Sequence, residues 1–209
     1  MTFYQNLSYN DNVVTGTPKR RLDREAVLSA AEAFLDERGA EALTMTALAG
    51  VLGVKVSSLY NHVTSLEALK GELQNRAMRE LGVLLRNQAM GKTGDRGLRD
   101  LAHTLREFAR AHPGRYGLAM SETHDQESFL EASADATAAF GAIIASYGID
   151  DVSLDFQVSA FAALHGVVVL DNANFLTDPI DGDRVFGTVL DLVVGLLRDA
   201  APSSEALAG

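Results

Sequence analysis

The chain has 209 residues, of which 47% are hydrophobic and 22% charged, as expected of one or two small soluble domains with a sizeable core. It has no cysteine, which excludes a disulfide framework, a thiolate metal site and a cysteine nucleophile, and suits a reducing cytoplasm as the expected location. The net charge of −10 speaks against nucleic acid as a total, yet residues 1–70 hold seven basic and eight acidic residues, so nearly all the acidity lies beyond them.

Residues 1–18 are polar and unpatterned, and are expected to be a flexible arm. No basic start leads into an apolar run, so a secretion signal is not expected. Lys19, Arg20 and Arg21 follow, placed either to reach phosphates or to form a solvated tail. A helix is expected over about 23–38, with Asp23 as N-cap and Val27, Ala30, Ala31, Phe34 and Leu35 on one face. Arg38 and Gly39 are its stop signals.

The stretch 43–63, LTMTALAGVLGVKVSSLYNHV, reads as two short helices and a tight turn. Thr44 is the N-cap candidate, Leu48 and Leu52 form a stripe, and Gly53 supplies the left-handed residue that ends the helix. The small Ala49 lets two steeply crossing helices approach. The second helix is expected to start near Val56 or Ser57, with Leu59 and Val63 inward and Ser57, Tyr60, Asn61 and His62 outward. A short helix with an outer face of hydrogen-bonding groups is the pattern of a helix-turn-helix whose second helix enters a major groove; the plainer alternative is a helical hairpin with a solvated face.

Thr64 and Ser65 then cap a long helix carrying Leu66, Leu69, Leu73, Met78 and Leu81. Further helices are expected over about 96–111, 115–122, 127–147, 153–172 and 182–200, with no alternating strand pattern anywhere. The chain is therefore all-α: a flexible arm over 1–18, a three-helix helix-turn-helix unit over 19–66 and a larger helical region over 67–209. The last two helices read as apolar nearly all round, which predicts that they pack against their own copy as a four-helix bundle, unless they are simply a buried pair. No uninterrupted apolar run approaches the roughly 18 residues of a membrane span, because His165 and Gly166 break FAALHGVVVL, so no membrane partner is expected.

The text ALTMTALAGVLGVKVSSLYNHV, with AAEAFLDERGAEALTM before it, resembles the N-terminal domain of the tetracycline-repressor (TetR) family over residues 22–70. LHGVVVLDNANF is similar to members with a Trp-His-Gly signature, His165 and Gly166 matching while Leu164 stands in the Trp position. The resemblance implies a homodimeric regulator, usually a repressor, that binds a double-stranded operator and releases it when a small molecule enters the C-terminal domain. It implies backbone contacts from Thr44 and Thr46, base or flanking-phosphate contacts from Lys55, Val56, Ser57 and Asn61, and positions near phosphates for Tyr60 and His62. Hydroxyls and helix N-termini suit phosphate oxygens, Asn can bond an adenine edge, and Val56 can meet a thymine methyl. Many members carry a lysine where this chain has Leu66, so one phosphate contact is missing.

The C-terminal region is larger than dimerisation requires, and an effector pocket is expected there. Its candidate lining is Phe108, Tyr116, Met120, Phe140, Ile144, Phe161 and His165, each with plain core packing as the alternative. Such a lining fits a hydrophobic or aromatic effector. No HExxH, GxSxG, GxGxxG or Walker loop is present, so no catalytic residue, cofactor or metal is expected and the chain is not read as an enzyme. The acidic loop from Glu122 to Glu127 reads as solvated rather than metal-binding. A helical small-molecule binder with weakened DNA contacts is the second reading, raised by Leu66 and the acidic total.

Overall fold

Asp23, Thr44 and Ser65 lie in extended backbone, and each accepts a hydrogen bond from the amide three residues on (2.8, 3.1 and 3.0 Å), which starts three helices. The computed structural model describes residues 22–123, 125–149 and 154–201, and its regular elements there are all α-helices. They are α1 (Arg24–Arg38), α2 (Met45–Leu52), α3 (Val56–Leu59), α4 (Leu66–Ala89), α5 (Gly94–Ala111), α6 (Pro113–Ala119), α7 (Gln126–Ala145), α8 (Leu154–Asn172) and α9 (Gly182–Ala200).

Four elements differ from expectation. α3 is only one turn long, because the amides of His62 and Val63 bond back to the Leu59 carbonyl and close a turn instead of extending the helix. Asn61 and His62 therefore lie on that turn, while Val63 remains buried. α6 starts at Pro113 rather than near 115, since a proline at the first helical position gives up no hydrogen bond. α8 is apolar enough by length and composition to cross a membrane, with mean hydropathy 1.4, because one histidine and one glycine dilute the apolar content too little. Neither α8 nor α9 is buried all round: Leu154, Val158, Val169, Leu170, Leu192 and Leu196 are exposed.

Two cores share α4. Leu69 and Leu73 join Val27, Leu35, Leu48 and Leu59 in the first, which also takes Leu118 from α6. Leu81 and Leu85 join α5, α7, α8 and α9 in the second. The N-terminal core thus runs two turns into α4, past the boundary drawn at residue 66 from the sequence.

Polar contacts fasten α1 to the rest. Arg76 of α4 bonds both Glu25 and Glu32 of α1 at 2.8 Å, and Arg24 pairs with Glu72. Asp36, near the end of α1, accepts from the backbone amide of Arg115 (3.1 Å) and from its Nε (2.8 Å). Beside them, a Cβ placed on Gly114 would sit 1.7 Å from the Leu35 carbonyl oxygen, so only glycine lets α6 approach α1 this closely. At the far end of the domain Arg106, buried over the Phe186 ring, bonds Asp171 (2.9 Å) and Asp183 (2.8 Å) and ties α5 to α8 and α9.

Gly114→Ala is expected to cost roughly 1–3 kcal/mol, read as a lower urea midpoint, because backbone must move to admit the methyl. The bond from Arg76 holds the Glu25 carboxyl down to about 2 from its ordinary 4.5. A depressed carboxyl stabilises the fold above its ordinary value, and that contribution is lost as pH falls towards its folded value. The stability gap between wild type and Arg76→Met should therefore shrink between pH 4.5 and 2; a gap that stays constant through that window would show that the pair contributes nothing.

Candidate nucleic-acid interface and ligand cavity

The turn between α2 and α3 is closed by Gly53, whose left-handed backbone (φ 64°, ψ 33°) lets its amide and that of Val54 bond back to Gly50 and Ala49 (3.2 and 3.0 Å). With Leu48, Ala49 and Leu59 buried against α1, the opposite surface is left to polar groups. Thr44, Thr46, Lys55, Ser57, Tyr60 and Asn61 are exposed there, and Val56 and His62 are half-buried. Tyr60 is 53% exposed, unusual for an aromatic ring with nothing to stack on. The side chains of Lys55, Ser57, Tyr60, Asn61 and His62 make no hydrogen bond or ion pair to another described residue, so their donors and acceptors face outward unspent. Arg20 and Arg21 lie outside the described residues. Leu66, the position of the missing cation, begins α4 and is partly buried against the N-terminal core.

The larger region forms a half-open cavity of about 340 Å³ between α4, α5, α7 and α8. Met78, Leu81 and Leu85 form one wall, Leu105 and Met120 the base, Phe129, Ser133, Ala136, Thr137 and Phe140 a second wall, and Leu154, Gln157, Val158 and Phe161 a third. None of these lining residues is ionisable. Of the residues expected to line a pocket, Met120, Phe140 and Phe161 are on this surface.

The other four are elsewhere. Ile144 is fully buried among the C-terminal core residues, and Phe108 is buried with its ring edge against His112. Tyr116 is turned from the cavity because its hydroxyl meets His165 Nδ1 at 2.7 Å, joining α6 to α8. His165 in turn stacks on Phe161 at 5.5 Å, one layer behind the wall. Burial pushes the Tyr116 hydroxyl up and the His165 imidazole down, so a neutral histidine accepts from a protonated tyrosine. Sequence reasoning missed Ser133, Thr137 and Gln157, whose signal was a polar group on otherwise apolar helix faces.

It also missed Gln74. This buried α4 side chain donates to the carbonyls of Leu118 (3.1 Å) and Ser121 (3.0 Å), holding the end of α6. Met120, which caps that end, is a cavity wall, while the start of α6 rests on α1 through Gly114 and Arg115. No group of three His, Cys, Asp or Glu side chains able to hold a metal ion occurs among the described residues.

Residues 98–193 match the family described as "Tetracyclin repressor-like, C-terminal domain". An uncharacterised HTH-type transcriptional regulator of Mycobacterium tuberculosis, Rv0681, is 36% identical over 182 residues, spanning 85% of this chain and 83% of its own. YobS of Bacillus subtilis, also an uncharacterised HTH-type transcriptional regulator, is 30% identical over 112 residues, or 54% of this chain and 59% of its own. Among solved structures, a protein of unknown function from Rhodococcus sp. RHA1 superposes with TM-score 0.70 at 22% identity, covering 88% of this chain and all (100%) of that one. A TetR variant from Acinetobacter baumannii AYE in complex with minocycline gives TM-score 0.61 at 20% identity, covering 88% of this chain and 100% of that one. Both share the fold.

Tyr116→Phe removes the hydroxyl that His165 accepts from and leaves a partly buried imidazole without its partner. The variant is expected to lose roughly 1 kcal/mol of stability in urea titration. An unchanged midpoint would mean that water serves His165 equally well.

Proposed function

The chain belongs to the tetracycline-repressor (TetR) family of helix-turn-helix transcriptional regulators, and on that footing we propose that it is a cytoplasmic homodimeric repressor, released from a palindromic operator by a small apolar or aromatic effector. The observation that carries this reading is the continuity of α4: its first turns belong to the core beneath the recognition unit, and its middle turns form a wall of the cavity. A ligand that favours one packing of Met78, Leu81 and Leu85 biases the direction in which α4 leaves the cavity, and so the placement of α2 and α3.

On the DNA side, the exposed Thr44 and Thr46 at the start of α2 take phosphate oxygens. Lys55, Ser57 and Asn61 offer base or phosphate contacts, with Val56 for a thymine methyl and Tyr60 and His62 towards the backbone. Arg20 and Arg21 precede α1 in sequence and add cationic charge for phosphates. One turn of α3 reads few base pairs, so selectivity needs a second copy, joined through the exposed apolar faces of α8 and α9. On the ligand side, Met120, Phe140 and Phe161 hold the effector in the cavity.

Fluorescence anisotropy on DNA from upstream of its own gene tests this reading. Selective binding should weaken as salt rises, and Tyr60→Ala and Asn61→Ala should each reduce affinity for the best site by roughly tenfold or more. Wild-type protein that shows no salt-sensitive, sequence-selective binding would defeat the repressor reading. Unchanged affinity in both variants would show that the turn after α3 is not the reader.

A further inference from the structure

The cavity is sorted by polarity from floor to mouth. Met78, Leu81, Leu85, Leu105 and Phe140 are buried and apolar, and form its inner surface. Leu154 and Val158, 65% and 53% exposed, stand at its mouth, together with the exposed Thr137 of α7 and the half-buried Gln157 of α8. The two polar side chains are neighbours. A Cβ built on Gly141 would sit 3.4 Å from Gln157 Oε1, so this amide rests against α7. Thr137 stands four residues earlier on the same face of α7, about 6 Å along the axis.

Their hydrogen-bonding capacity differs from that of other hydroxyls in the molecule. Thr104 and Thr188 each donate to the carbonyl four residues back, at 2.9 Å. Ser133, deeper in the cavity, donates to the Leu130 carbonyl at 3.1 Å. The Thr137 hydroxyl makes no such bond to a described residue. The Gln157 amide carries two donors and an acceptor oxygen with two lone pairs, more than one partner satisfies. The charges around them are all of one sign. Neither α7 nor α8 contains Lys or Arg, and the charged residues nearest in sequence to Thr137 and Gln157 are Asp135 and Asp155. Arg86 of α4 is already held by Asp135 at 2.9 Å. A carboxylate at this mouth would lose water to the apolar lining, find no cation and meet like charge.

We propose that the cavity takes a small uncharged amphiphile, whose single amide, alcohol or phenol head is held at the mouth by Thr137 and Gln157. Its apolar body points inward against Leu81, Leu105 and Phe140. This rests on the reading of the cavity as the effector site, and adds to it the residues that set specificity. Thr137 and Gln157 favour a neutral hydrogen-bonding head over a bare hydrocarbon, and their acidic, cation-free surroundings refuse the matching carboxylate. Fatty and aromatic acids are therefore excluded, although their bodies suit the lining. At about 340 Å³ the cavity lies at the small end of ligand sites, which run from about 300 to 1,000 Å³, so the ligand is small as well.

The test uses the full chain and displacement of N-phenyl-1-naphthylamine, an uncharged fluorescent probe, by three compounds that share one body. They are 4-butylbenzamide, 4-butylbenzoate and butylbenzene; the first two are nearly identical in shape and differ in charge. The benzamide should displace the probe at a concentration about tenfold or more below that of the benzoate, and about fivefold below that of butylbenzene. Thr137→Val and Gln157→Leu should each reduce the benzamide's lead over butylbenzene, and the double variant should erase it. Butylbenzene itself should bind these variants as well as wild type, and their helical circular dichroism should be unchanged. A substitution that only loosened the fold would weaken all three compounds alike. Two results overturn the inference while leaving the effector reading intact: a benzoate that displaces the probe as well as the benzamide, or a lead over butylbenzene that is absent in wild type or persists in every variant. Wild type that takes up no probe, or probe that none of the three displaces, overturns the effector reading and this inference together.

Discussion

A single helix of 24 residues, α4, is buried at one end in the core beneath the helix-turn-helix and further along in the core around the cavity. Because cores are close-packed, neither end can rotate or slide without repacking its own set of neighbours. Leu69 and Leu73 are fully buried in one set and Leu81 in the other, so each end of α4 is held by its own core. The position of α3 relative to the rest of the molecule follows from this shared helix. So does any influence that a ligand at Met78 or Leu85 has on DNA.

The polar contacts make sense around that constraint. Arg76 and Arg24 hold α1 on the side of α4. Gln74 fixes the end of α6 to α4, and Asp36 with Gly114 fixes the start of α6 to α1. α6 is thereby bonded to both sides of the recognition unit and carries Met120 into the cavity wall. Individually such bonds contribute little where they are exposed. Their effect is geometric: they leave few independent ways for the cavity and the recognition unit to move apart.

Much of this was legible from residue pattern. The caps at Asp23, Thr44 and Ser65, the left-handed Gly53, and the inward Leu48 and Leu59 are local signals, since each depends on neighbours within one or two turns. The length of α3 was not, because Leu59 and Val63 keep helical spacing although the chain between them closes into a turn. The pocket was the least legible part. Aromatic and Met residues serve equally as core and as cavity wall, and only three-dimensional placement separates Phe140 and Phe161 from Phe108 and Ile144. His165 illustrates the same limit: its sequence context marks an imidazole in need of a partner, while the partner, Tyr116, is 49 residues away.

The sequence by itself determined that the chain is helical, that residues 43–63 form a helix-turn-helix with an outward polar face, and that the last two helices are too apolar to be exposed without a purpose. These properties are written in spacing and in short-range hydrogen bonding, which a linear pattern records directly. Only the tertiary structure decided which apolar residues surround empty space and which side of α8 is left uncovered. It also decided that α6 bridges α1, α4 and α8. Those outcomes depend on how helices distant in sequence share volume, and volume between helices has no signature in the periodicity of any one of them.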